Sequence, residues 1–193
     1  MLLAVLSSAA ALLGAAQIVP YLISITSGYT KPSRASLAIF AVIDTVQFTA
    51  MLAAGAGLAA AMQGAFAVTG LLVFVVAFRL GASMTTSLDG VTLTLTALAL
   101  FGWFLIGPEF AVVATTTGTI CSYIALVTKM RNHPNAEAPL AYLMSGVAAV
   151  FSLVATGLVG PVSWVIYFPP FVTLSGTTTV VVLALLQRRR TGV

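Results

Sequence analysis

Between two long apolar runs lies Thr26-Ser27-Gly28-Tyr29-Thr30-Lys31-Pro32-Ser33-Arg34, a polar stretch with two cations and a proline. The flanking runs, about Leu2 to Ile25 and about Ala35 to Ala54, each match the roughly 20 mostly apolar residues that cross a bilayer. The stretch therefore reads as a turn between two spans, and its charge marks one face of the membrane. Further apolar segments follow at about Gly64 to Leu80, Gly90 to Ile106, Phe110 to Val127, Pro139 to Leu158 and Trp164 to Leu186. Breakers stand at the cuts: Gly55, Gly57, Gly81, Gly107-Pro108, Pro134 and Gly160-Pro161. Arg79 ends the third segment, Lys129 and Arg131 follow the fifth, and Arg188, Arg189 and Arg190 follow the seventh. The connections at 55–63, 107–109 and 159–163 hold no Lys or Arg. All eight cations thus fall on one side of a seven-span chain. The positive-inside bias then places the N-terminus outside and the C-terminus in the cytoplasm, in a bacterial-type inner membrane.

Composition points the same way. Charged residues make up 6% of the chain and hydrophobic residues 60%, against about 25% charged residues in an ordinary soluble domain. So few charges do not coat a water-exposed surface, but they suit an outer wall that faces lipid. The net charge of +4 is scattered over the loops, so no nucleic-acid partner is expected. The lone Cys121 forms no intrachain disulfide and reads as a small buried hydrophobe. The first 19 residues are apolar and end in small residues, yet they lack the basic n-region of a signal peptide. They are expected to be the first span.

The two halves look related. At an offset of 102 residues Tyr21 aligns with Tyr123, Thr26 with Thr128, Pro32 with Pro134, Ala53 with Ala155 and Gly55 with Gly157. Each half has the same layout of span, basic loop with a proline, span, short uncharged loop, span. A three-span unit ends on the side opposite its start, so a reversing segment is needed to bring the second copy back into register. The fold expected is an all-α membrane protein with seven transmembrane helices in a 3+1+3 order. Residues 1–82 form one triple-helix bundle, 88–107 an inverting linker helix, and 108–193 a second, parallel bundle. Parallel repeats about an axis along the membrane normal are a transporter device.

Ile18-Val19-Pro20-Tyr21, continuing through Gly28-Tyr29-Thr30-Lys31-Pro32-Ser33-Arg34-Ala35-Ser36, resembles the PQ-loop region of the SWEET and SemiSWEET superfamily. It is most similar to an uncharacterised bacterial branch with Pro-Tyr in the first helix and a Thr-Lys-Pro-Ser loop. In the second repeat His133-Pro134-Asn135-Ala136-Glu137 is similar to the His-Pro-x-x-Glu of that branch. The layout matches over the whole chain. The resemblance implies two triple-helix bundles around a central path, with Pro20 as a hinge for alternating access. Pro20-Tyr21 stands where Pro-Gln is usual, and Ser122-Tyr123 in the second repeat has no proline. The sugar pockets of SWEETs are associated with Asn and Trp on helices, whereas Asn132 and Asn135 lie in a loop. These departures put sugar as the substrate in doubt.

Asp44 is the sharpest candidate for chemistry. It lies nine residues into the second segment, roughly 14 Å deep at about 1.5 Å per residue. A carboxyl at that depth costs about 2.5–3.5 kcal/mol on insertion scales, and such groups usually face the bundle interior. Gln47 lies one turn on, with Phe40 and Met51 on the same face. Asp44 serves proton coupling, a hydrogen bond to substrate, or structural adhesion to a neighbouring helix. Segment six offers Gly146 at the equivalent position, so an acidic site is one-sided. Pro20, inside a helix, removes one backbone bond and imposes a kink, which acts as a hinge or as a fixed bend. Gln17, Tyr21, Tyr123 and Thr119 are the remaining candidates to line a path. Other features read structurally. The Thr115–Thr117 and Thr177–Thr179 runs suit packing, Pro169-Pro170 an irregular segment start, and Trp103, Trp164 and Tyr167 an aromatic belt. Asp89 is expected to offset Arg79, and the terminal arginines to contact anionic lipid.

A transporter of a small solute, sugar or other polar metabolite, is the leading expectation. The alternative is a membrane-embedded receptor or scaffold of PQ-loop-like fold without transport activity. An enzyme is not expected, since no His lies in a span and no paired carboxylates or Ser-Lys arrangement is present. No segment-seven Lys is available for a retinal Schiff base. No cofactor or metal is expected, and membrane lipids are the other partner. Seven spans of this kind work alone, or as a homo-oligomer that pairs or trimerises. Topology is open to direct test. In a Cys121→Ser background, Lys31→Cys and Val193→Cys should both react with an impermeant maleimide from the cytoplasmic side, and Glu109→Cys only from the outside. Labelling of the first two from opposite faces would overturn the seven-span arrangement.

Overall fold

The computed structural model describes residues 1–28, 34–80, 87–132 and 138–191. The Thr30-Lys31-Pro32-Ser33 and His133-Pro134-Asn135-Ala136-Glu137 sequences fall outside the described residues, as do the side chains of Asp89 and Arg188–Arg190. Among the described residues all regular secondary structure is helical. It runs α1 (Leu2–Ala16), α2 (Ile18–Thr26), α3 (Arg34–Ala53), α4 (Ala61–Leu80), α5 (Ser87–Leu105), α6 (Pro108–Asn132), α7 (Pro139–Leu158) and α8 (Phe168–Thr191). Short 3-10 turns at Gly57–Ala60 and Trp164–Tyr167 precede α4 and α8. Five stretches are long and apolar enough to cross a membrane: Leu2–Thr26, Gly57–Val76, Pro108–Arg131, Pro139–Leu158 and Trp164–Gln187. Leu37–Ala53 and Gly90–Leu105 are shorter apolar helices.

Local sequence explains the breaks. Pro20 has no N–H for the carbonyl of Ala16, and the first long helix is interrupted there: α1 ends at Ala16 and α2 begins at Ile18, with Gln17 between them. Prolines also mark helix starts, where a missing N–H costs nothing. Pro108 and Pro139 open α6 and α7, and Pro169-Pro170 occupy the first turn of α8. The connection expected at 55–63 is mostly helical, because the 3-10 turn at Gly57–Ala60 leads directly into α4. Gln63 therefore lies inside a helix and not at its edge.

Packing in α7 is inverted relative to a soluble protein, with small residues inside and large ones outside. In α7 the buried positions are Ala141, Ser145, Ala148, Ala149, Ser152, Ala155 and Thr156. The exposed stripe is Leu140, Leu143, Val147, Val150, Val154 and Leu158, at three- and four-residue spacing. Lipid tails are as apolar as leucine, so exposing the large residues costs little there. The small residues let backbones approach and gain van der Waals contact.

Neighbour relations form a closed ring. α1 packs on α4 and α7, α4 on α3, α3 on α6, α6 on α8, and α8 on α7. α5 lies outside this ring against α6 and α3. Ala10 clusters with Ala148 and Ala149 while Gln17 meets Ser145, so α1 and α7 run antiparallel. Val46 and Ala50 cluster with Ala111 and Val112, so the C-terminal half of α3 meets the N-terminal half of α6. These directions bring Arg34, Arg79, Lys129, Arg131 and the end of α8 to one end of the bundle, the basic end.

The apolar core changes character along the bundle. Toward the uncharged end two clusters each draw on residues from both halves of the chain. Val46, Ala50 and Met51 pack with Ala99, Ala111, Val112 and Ile166, and Ala10, Met62 and Phe66 pack with Ala148 and Ala149. At the basic end each half keeps its own cluster: Ile25, Leu37 and Val73 in one, Met130, Val180 and Ala184 in the other. Trp103, expected at the interface, is partly buried against the first of these clusters. Trp164 is exposed, as a belt residue would be.

Two glycines are required by close approach. A Cβ at Gly102 would collide with the Phe110 ring, and one at Gly176 with the Tyr123 ring. At Gly90 a Cβ would meet nothing within 4 Å. Gly176→Ala should therefore destabilise the protein by about 1–3 kcal/mol, the usual cost of overpacking. Gly90→Ala should be neutral or stabilising by up to about 1 kcal/mol through helix propensity. Thermal melts of the purified variants in detergent check both.

Candidate functional site

Of the site residues expected from sequence, Asp44, Gln47 and Gln17 bridge neighbouring helices, whereas Tyr21 and Tyr123 pack in the clusters of the basic end. Asp44 of α3 is partly buried. Its Oδ1 accepts a hydrogen bond from Gln63 Nε2 of α4 at 2.9 Å. A Cβ on Gly70 would lie 3.6 Å from Asp44 Oδ2, so α4 leaves a gap beside the carboxyl. Gln63 is itself buried, and its Oε1 has no hydrogen-bond partner. A buried acceptor without a donor carries a desolvation cost of about 1–3 kcal/mol. The Asp44–Gln63 pair is thus an acceptor-rich spot with an unmet demand for a proton donor.

Gln47, one turn beyond Asp44, does not join it. Its Nε2 donates to Thr116 Oγ1 of α6 at 2.6 Å, and Thr116 Oγ1 donates in turn to the Val112 carbonyl at 2.6 Å. The sequence grouping of Asp44 with Gln47 on one polar patch is therefore only half realised. The 60° that separates positions three apart on a helix sends one side chain to α4 and the other to α6.

Gln17 sits at the interruption between α1 and α2, and its Oε1 is the partner of Ser145 Oγ on α7. The two seams where the halves of the chain meet, α1 with α7 and α3 with α6, therefore each carry a glutamine–hydroxyl pair. Tyr21 packs in the cluster of Ile25, Leu37 and Val73. Its counterpart Tyr123 packs against Met130 and Val180. Thr119 Oγ1 donates to the Thr115 carbonyl at 3.1 Å and is partly buried. The other threonines of that run, and Thr177 and Thr179, likewise bond back to their own helices, as expected of packing residues.

Sequence reasoning missed Gln63, Ser145 and Thr116 as partners. Gln63 had no legible signal, since the alanines before it carry no periodicity that separates a connection from a helix start. Ser145 and Thr116 had none, because small hydroxyl residues are common in spans. Two surface grooves occur elsewhere. One of about 760 Å³ at the uncharged end is bordered by Gly55, Pro108, Glu109, Phe110 and Trp164. Another of about 320 Å³ lies near the basic end between α6 and α8. Among the described residues no group of three or more His, Cys, Asp or Glu is placed to hold a metal.

The seam pair can be measured. A double-mutant cycle on Gln47→Ala and Thr116→Ala should return a coupling of about 0.6–1.7 kcal/mol, the range of interhelical hydrogen bonds in membranes. Strictly additive losses of stability in detergent melts would remove Gln47 from the seam.

Compared with protein-family models, with curated proteins and with solved structures, the chain matches none at a significant level.

Proposed function

We propose that the chain is a SWEET-like transporter that moves a small polar solute across a bacterial-type inner membrane by alternating access. In this reading α1 to α4 are one triple-helix bundle, α6 to α8 a second parallel one, and α5 the inverting linker. That makes seven spans, with the N-terminus outside and the C-terminus cytoplasmic. The neighbour relations support it. Under the 102-residue offset, α1 corresponds to α6, α3 to α7 and α4 to α8. The α1–α4 contact then has its counterpart in α6–α8, α3–α4 in α7–α8, and α1–α7 in α6–α3. A two-fold repeat along the membrane normal accounts for every contact of the ring.

The observation that carries the functional reading is the change from a shared core to separate cores. Two blocks that share apolar clusters at the uncharged end and keep separate ones at the basic end, where α2 still touches α7, are suited to rocking. Burial follows the same gradient. In α6 the buried positions fall at Ala111, Val112, Ala114–Thr116 and Gly118, and none follows until Met130. In the first span Ser7, Ala10 and Gly14 are buried, and beyond them only Ile25 is. Pro20 and the interruption at Gln17 stand where this transition occurs. Asp44 and Gln63 lie on the neighbouring helices α3 and α4, and among the described residues no Lys or Arg pairs with the carboxyl, which is left for another donor to satisfy. A proton or a donor group on the solute fills that role in the transport cycle.

Liposome swelling against a panel of sugars, polyols and amino acids tests the function, followed by uptake of whichever solute permeates. Uptake should depend on pH, and Asp44→Asn should abolish that dependence at normal expression. Pro20→Ala should slow transport and leave solute binding nearly intact. Spin labels at Thr26 and Thr128, both exposed at the basic end, should give two distance populations. Labels at Val5 and Glu109 should shift in the opposite sense. Single narrow distances at both ends, with no solute permeating, would favour the receptor or scaffold alternative.

A further inference from the structure

The groove between α6 and α8 near the basic end has a composition that the transport reading does not use. Val127 of α6 and Val182, Leu183 and Leu186 of α8 form its walls, and Arg131 stands at its mouth. Thr178 and Thr179 also border it, and the Thr179 hydroxyl donates to the Ser175 carbonyl at 2.8 Å. The bordering positions of α8 run from Thr178 to Leu186, a length of about 12 Å at about 1.5 Å per residue. The floor is preformed. Met130, Val180 and Ala184 are buried beneath it, and Gln187 Nε2 donates to the Met130 carbonyl at 2.8 Å, tying the two helix ends together.

Charge accumulates at this one place. Lys129 and Arg131 end α6, and Arg188–Arg190 form the turn of α8 that follows Leu186 and Gln187. Five of the eight cations of the chain thus stand at the ends of one packed helix pair, and the sequences of both helices hold no acid beyond Glu109 at the opposite end. The larger groove at the uncharged end is the reverse case, with Glu109 on its border and no cation.

We propose that this groove is a binding site for one anionic phospholipid, with an acyl chain along Val127, Val182 and Leu186 and the phosphate at Arg131. The apolar walls alone select nothing, because every lipid offers the same tail and tails are as apolar as leucine. The cleft holds a chain in place and the cations choose the headgroup. Basic pockets between membrane helices on the cytoplasmic side are suited to acidic headgroups, and arginine pairs with phosphate in a fixed bidentate geometry. Because α6 and α8 belong to the same half of the chain, a lipid wedged between their ends braces that half without crossing either seam. The site depends on membrane embedding and is independent of transport.

Native mass spectrometry of the purified, delipidated protein tests the site. The probes are phosphatidylglycerol and phosphatidylcholine of identical chains. The wild type should retain one phosphatidylglycerol at concentrations where phosphatidylcholine is lost. Arg131→Gln should weaken that retention about fivefold. Val182→Trp, or Leu186→Trp should the first disturb folding, should weaken it as well by filling the cleft while leaving every cation in place. Arg79→Gln, at the basic end but on α4, should leave it unchanged. Equal retention of the two lipids would overturn the proposal, as would equal effects of Arg131→Gln and Arg79→Gln. Unaltered retention in the groove-filling variant would reduce the site to general attraction of anions to the surface and would overturn it too.

Discussion

Helices in lipid gain nothing from hiding leucine, so this fold depends on how closely their backbones approach. Nearly every internal contact reflects that constraint. The buried face of α7 is built of Ala, Ser and Thr, and its outer stripe of Leu and Val. Gly102 and Gly176 make room for the rings of Phe110 and Tyr123. A single extra methyl group at such a point pushes two helices apart, whereas at a lipid-facing position it changes little. Stability here is thus a matter of contact geometry more than of apolar area.

Polar groups add direction to this packing. A buried amide in a low-dielectric interior must find a partner, and the few amides present mark where helices are held in register. Gln47 and Gln17 each bridge a seam between the halves of the chain, while Gln63 reaches Asp44 within the first half. The Oε1 of Gln63 is buried without a hydrogen-bond partner, and the same amide donates to the Asp44 carboxyl. The apolar clusters are shared between the halves of the chain toward the uncharged end and separate at the basic end.

Much of this was legible in the residues. Apolar runs of span length, cut by Gly and Pro, put the helices within a few residues of their observed bounds, because lipid admits no other secondary structure for such runs. The interruption near Pro20 followed from a missing N–H, whereas Pro169-Pro170, read as an irregular segment start, occupy the first turn of α8, where proline is tolerated. Asp44 stood out because a charge in a span is costly. The site was legible only in part. Gln63 was assigned to a connection because the alanines before it carry no periodic signal, and Gln47 was grouped with Asp44 because sequence gives the face of a helix but not its neighbours.

The sequence by itself determined that this chain is a bundle of apolar helices with its cations gathered at one end, since charge and hydropathy act on each residue against the solvent alone. Only the tertiary structure decided which helix touches which. The ring order, the two glutamine seams, the Asp44–Gln63 pair and the groove between α6 and α8 depend on small side chains that look alike along the sequence. Their meaning arises when two backbones come within contact distance, and spacing along one helix does not reveal which surface arrives opposite.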